Sequence, residues 1–317
     1  PLVSSLNTKN EINKLNYFIN FGRNISILLG LGSFLILYVS SGNLISTFQP
    51  TPNIQLLSSD YLVFRCIGLP FYLVNMHSTA VLRGLKYAKI TFYSALIVSI
   101  SNIFFSLFFG LFLGFGAGGI GFASSLAFLC ASIYSTIILK KQLNNIPSSK
   151  EAIDKPSLRK KFFSVGIYIL IRSLFLTLFM AYLRNRASLM SMEEIALQHI
   201  LLQLWSVGYI FVDAIAIASQ TLISELVSKK EKYQKSGLQK ELVSVTTAIS
   251  FVLAIITVLF LDNFVQMFGD DKFDLYIDLQ LKLLVALSLF IGCYAFLWDG
   301  VLLGLDRAKE FSFLTVA

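Results

Sequence analysis

Eight stretches of this chain are long and apolar enough to cross a bilayer, at roughly 24–45, 60–84, 90–113, 118–139, 161–184, 195–222, 242–262 and 277–304. A helix needs about 20 apolar residues to traverse the hydrocarbon core. The runs are continuous rather than alternating with period two, so they predict helices and not barrel strands. Inside a bilayer the backbone N–H and C=O groups find no water, and a helix satisfies them within one segment. The predicted fold class is all-α and integral to the membrane. Composition agrees, since only 14% of the 317 residues are charged against about 25% in a soluble domain. Most helix faces therefore meet lipid or other apolar helices.

The basic residues sort the connectors into two sets. Connectors 1–23, 85–89, 140–161, 225–241 and 305–310 hold 19 Lys and Arg, whereas the alternate connectors 46–59, 114–117, 184–194 and 262–276 hold 3. By the positive-inside rule the first set faces the cytoplasm. The expected location is a multi-pass protein of the plasma (inner) membrane. The net charge of +8 is accounted for by this asymmetry, and nucleic acid is not an expected partner.

Little here suits an enzyme. The chain has two histidines and no HExxH, GxSxG, P-loop or GxGxxG pattern. Cys66, Cys130 and Cys293 lie in apolar runs without metal-ligand spacing and read as small buried hydrophobes. No catalytic residue, metal or organic cofactor is expected.

Sliding the chain by 220 residues aligns Val81–Lys89 with Val301–Lys309, identical at six of nine positions without a gap. The same shift pairs Ser4 with Ser224, Lys9 with Lys229 and Asn43 with Asn263. Both copies run the same way through the membrane. Parallel repeats with substrate bound between the halves are one transporter architecture. The repeat length predicts lobes of six helices, with four spans in an N-terminal lobe (1–145) and four plus the start of a fifth in a C-terminal lobe (161–317). A basic cytoplasmic linker (146–160) separates them. Both ends read as cut from a protein of about twelve spans.

The run Tyr61–Phe71, with Arg65, Gly68 and Pro70, followed by Arg83-Gly84-Leu85, resembles the MATE family of multidrug and toxic compound extrusion transporters. Asn102 and Gly118–Ala123 continue the likeness. Leu197–Trp205 with Asp213–Ala216, and Trp298–Gly304, resemble the DinF-like branch. The resemblance implies that the chain covers the family's third to tenth helices and the start of the eleventh. It also implies a cavity between two lobes and export driven by H⁺ or Na⁺.

Charges at membrane depth are costly and mark candidate sites. Arg172 lies 11 residues from the cytoplasmic edge at Lys161, and Asp213 lies 12 from Glu225. At about 1.5 Å per residue the two reach nearly equal depth on consecutive antiparallel spans. Asp213 is thus either a protonatable switch facing Arg172 or half of a static ion pair. Asp299, 8 residues from Arg307, sits slightly nearer the cytoplasm; the resemblance places it among the second-lobe cavity acids. Asn102 matches an Asn of the family's first-lobe cation site, but the family's nearby Asp is Ser106 here. Cavity and substrate candidates are Gln198, Gln203, Trp205 and Tyr168; hinge or gate candidates are Pro70, Arg83 and Gly84. His77 and His199 are expected to make interhelical or interfacial hydrogen bonds, and Arg65 to snorkel from a span end.

The expected function is a cation-coupled antiporter exporting small organic cations or organic acids, working as a monomer in the lipid bilayer. Two alternatives stand beside it, a flippase for lipid-linked precursors and a truncated membrane protein that transports nothing.

Overall fold

The computed structural model describes residues 2–9, 11–47, 51–144, 154–187, 191–229, 237–268 and 277–316, and among them every regular element is helical. Two compact units, Leu2–Ile153 and Asp154–Ala317, divide the chain. The first holds α1 (Leu2–Thr8), α2 (Ile12–Ser46), α3 (Pro52–Cys66), α4 (Leu69–Gly84), α5 (Ala88–Phe105, continuing as a π-helix over Ser106–Phe112) and α6 (Gly116–Asn144). The second holds α7 (Lys155–Ala187), α8 (Met192–Ser228), α9 (Leu238–Phe268), α10 (Leu279–Gly304) and α11 (Ala308–Val316). Residues 146–153 of the expected linker lie outside the described residues, and its end from Lys155 onward forms the first turns of α7.

Among the described residues seven helices are each long and apolar enough to span a membrane, and α3 with α4 makes an eighth if joined across a 47° bend. That agrees with eight apolar runs in the sequence. The bend falls at Ile67 and Gly68, just before Pro70, which lacks the N–H that would bond the carbonyl of Cys66. The α6 residue Ser125 compensates the broken ladder. Its Oγ contacts the Phe64 carbonyl at 2.7 Å and the Arg65 carbonyl at 3.2 Å.

In the first unit α6 packs against α3, α4 and α5, and α2 packs on α3 and α4. Its buried face carries small residues such as Gly121, Ser125, Ala127 and Ser132, which let neighbouring backbones approach closely. One polar hub ties three helices. Asn75 of α4 accepts from Ser94 of α5 and from Ser135 of α6, both at 2.9 Å, and all three side chains are buried. Replacing Asn75 with Ala removes an acceptor shared by two buried hydroxyls. The expected cost is about 1–2 kcal/mol, read as a lower melting temperature of the detergent-solubilised protein.

In the second unit α10 lies between α8 and α9, while α7 packs against α11. The helix ends show the repeat in three dimensions. Lys86 (φ 68°) and Asp306 (φ 63°) are the two non-glycine residues with left-handed backbone among the described residues, and they stand 220 positions apart. The amides of Leu85, Lys86 and Tyr87 bond the carbonyls of Val81, Arg83 and Leu82; those of Leu305, Asp306 and Arg307 bond Val301, Leu303 and Leu302 in the same order. The glycines that end the two spans also match. A Cβ on Gly84 would meet Val3 at 2.9 Å, and one on Gly304 would meet Ile223 at 2.8 Å, again partners 220 residues apart. Both units therefore repeat one corner and one helix–helix contact.

Candidate functional site

The polar centre of the second unit is built from five helices. Small residues bring α8 and α10 together first. A Cβ on Gly300 would lie 2.3 Å from the Ala216 carbonyl oxygen and 2.4 Å from Ser219 Oγ, and one on Gly208 would lie 2.8 Å from Leu289. On α9, Thr247 shares a 2.6 Å hydrogen bond with Tyr294 of α10. Asp299 precedes the tightest contact and is thereby held beside α8.

Arg172 of α7 forms an ion pair with Asp299, their side chains 19% and 23% exposed. The Arg172 guanidinium also lies over the ring of Phe311, 4.4 Å from its centroid. One cation thus connects α7, α10 and α11. An aromatic group continues the site along α8 and α10. Tyr209 meets Phe296 edge-on with centroids 4.8 Å apart and stacks on Trp205 at 6.1 Å. Phe296 is one turn before Asp299, and Asp213 is one turn beyond Tyr209 on the same side of its helix. Tyr209 lies in the electrostatic field of Asp213, Arg172 and Asp299 together.

Depth counting sets Arg172 level with Asp213 and Asp299 nearer the cytoplasm, and an ion pair joins Arg172 to Asp299. The counted offset of Asp299 is three residues, or about 4.5 Å along a helix. A long arginine side chain covers that distance. Asp213 contributes its charge to the same cluster through its neighbour Tyr209. Tyr209 itself was not singled out in the sequence; its spacing of four from both Trp205 and Asp213 was the available signal.

The MatE family model matches residues 1–108. Protein DETOXIFICATION 45, chloroplastic, of Arabidopsis thaliana is 24% identical over 287 residues, covering 88% of this chain and 50% of the relative. The probable multidrug resistance protein NorM of Photorhabdus laumondii is 23% identical, covering 90% of this chain and 64% of the relative. A solved structure titled as the outward-facing conformation of a multidrug resistance MATE family transporter of the MOP superfamily superposes with a TM-score of 0.89. It is 14% identical and covers 99% of this chain and 71% of that one. The chain is similar to MATE proteins, in sequence over residues 1–108 and in fold over nearly its whole length. This chain spans about half to two thirds of the length of these curated relatives.

The other candidate residues divide by environment. Trp205 joins the aromatic group, and Tyr168 stands one turn before Arg172 on α7, half-buried. Gln198 is half-buried two turns before Trp205, whereas Gln203 is exposed on another side of α8. In the first unit Asn102 donates from Nδ2 to Ser124 Oγ at 2.8 Å and accepts from Ser106 Oγ at 3.4 Å. Its partners are neutral hydroxyls. Among the described residues no group of three His, Cys, Asp or Glu side chains gathers as a metal site. Pro70 packs under Gly30 of α2, where a Cβ would come within 2.5 Å of the Pro70 Cα. Gly84 packs under Val3 of α1, and Arg83 beside it is half-buried. His77 meets the expected pattern, its Nε2 donating to the Ile19 carbonyl of α2 at 3.0 Å.

Proposed function

We propose that the protein works as a cation-coupled MATE exporter of small organic molecules, with the Arg172–Asp299 pair as its coupling element. The supporting observation is an ion pair placed between spanning helices, where a charge is expensive unless partnered. A proton arriving on Asp299 neutralises the carboxylate and removes the attraction that holds Arg172. The contact joining α7 and α11 to α10 then loosens, while departure of the proton restores it. Asp213, one turn from Tyr209, is the second carboxylate that can exchange a proton within the cluster.

A single carboxylate facing an arginine suits H⁺, because Na⁺ needs a cage of several oxygens. Trp205, Tyr209 and Phe296 form an apolar wall for a planar organic molecule, with Arg172 and the two aspartates providing charge of either sign. The proposed setting is a monomer in the plasma membrane, with segments 1–23, 85–89, 140–161, 225–241 and 305–310 on the cytoplasmic side. The test uses the full-length protein in proteoliposomes under imposed pH or Na⁺ gradients, with ethidium as organic cation and citrate as organic acid. Efflux driven by the pH gradient is expected. Efflux left unchanged by Asp213→Asn and Asp299→Asn would sink the assignment.

A further inference from the structure

Arg65, in the last turn of α3, belongs to no part of the coupling cluster. A position near a span end predicts a side chain that snorkels to the interface. Instead its guanidinium lies over the ring of Phe128 of α6, 5.1 Å from the centroid. Nη1 is buried and has no hydrogen-bond partner among the described residues. Asp60, five residues earlier, is exposed, and no ion pair joins it to Arg65 among the described residues.

The surroundings hold this cation in place. On α6, Gly121, Ser125 and Phe128 follow one another at helical spacing and face the α3–α4 bend. Gly121 lets α6 approach so closely that a Cβ would lie 2.4 Å from the Tyr61 carbonyl oxygen and 3.2 Å from the Arg65 amide nitrogen. Ser125 contacts the Arg65 carbonyl, and Gly68 packs against Ser125 in turn. Tyr72 of α4 meets the Phe128 ring edge-on at 5.0 Å. A guanidinium and a phenol ring therefore flank one aromatic ring beside a broken helix.

An aromatic face attracts a cation, but it does not saturate the directional N–H donors of a guanidinium. A planar oxyanion does, by accepting two parallel hydrogen bonds. We propose that Arg65 anchors an oxyanion ligand in the first unit, a carboxylate or phosphate group carried on an apolar body that rests against Phe128 and Tyr72. The source is either a small organic acid or the phosphate of an anionic lipid.

Binding to the full-length protein separates these. Salicylate is titrated into protein in phosphatidylcholine nanodiscs, and retained phosphatidylglycerol is measured by native mass spectrometry after purification from mixed lipid. Arg65→Gln is expected to weaken salicylate at least about tenfold, the loss of a charge-assisted hydrogen bond, or to abolish phosphatidylglycerol retention. The first result assigns the site to a soluble acid and the second to lipid. Arg65→Lys keeps the charge without the bidentate fork, and an intermediate effect is expected; it carries the test if the Gln variant does not fold. Wild-type protein that binds neither probe, or variants that bind both as wild type does, would overturn the proposal. Neither measurement uses a gradient, so a protein that binds salicylate and transports nothing overturns the exporter reading and leaves this one standing.

Discussion

Asp299→Asn removes gradient-driven efflux, with transport in proteoliposomes falling about a hundredfold or more, while the double variant Arg172→Met/Asp299→Leu folds well and is equally silent. The single change preserves shape but removes the carboxylate charge that Asp299 offers the Arg172 guanidinium among α7, α10 and α11. Breaking one side of a mostly buried pair costs about 3 kcal/mol. Replacing both partners with apolar groups removes that penalty, because neither charge then has to be desolvated. Melting temperature is thus expected to fall in the single variant and to recover in the double. Transport that recovered along with stability would reduce the pair to a packing device.

Gly300→Val is expected to cost about 3 kcal/mol or more, since inserted volume in a packed interior forces backbone shifts. The built Cβ meets a backbone carbonyl oxygen at 2.3 Å, and Ser219, whose Oγ lies at 2.4 Å, is itself fully buried and bonded to the Ala216 carbonyl at 2.9 Å. Nothing there is a flexible side-chain end that could swing aside. Gly166→Ala is the internal control. That glycine lies within α7 with nothing inside 4 Å of a built Cβ, so the change should stabilise the helix by up to about 1 kcal/mol. Fluorescence-detected size exclusion after heating reads both variants, and equal losses would show that contact geometry is not what distinguishes the two glycines.

Much of the fold was legible because a bilayer imposes long-range rules on local composition. The number of spans follows from apolar runs that must each match one membrane thickness. The bend in α3–α4 was legible in Pro70, and the repeat in the Gly-Leu-x-x-Ala-Lys corner, whose two copies adopt the same left-handed turn. The charges at depth were also visible, since so few occur inside apolar runs. The Arg172–Asp299 pair was not. Counting residues along separate helices gives height but neither rotation nor the reach of a side chain, and Arg172 reaches Asp299 across a modest difference in height. Arg65 shows the same limit from the other side. Nothing in its local sequence distinguishes a side chain that snorkels outward from one drawn across the α3–α6 contact to Phe128.

By itself, the sequence determined that this chain is a multi-pass helical protein with an internal parallel repeat, because hydrophobic length and small-residue corners are written locally. Only the tertiary structure decided which cation meets which carboxylate, that Tyr209 stands among them, and that Arg65 turns inward. Those outcomes depend on close approach between helices far apart in sequence, permitted at Gly121 and Gly300 where a single added methyl group would not fit.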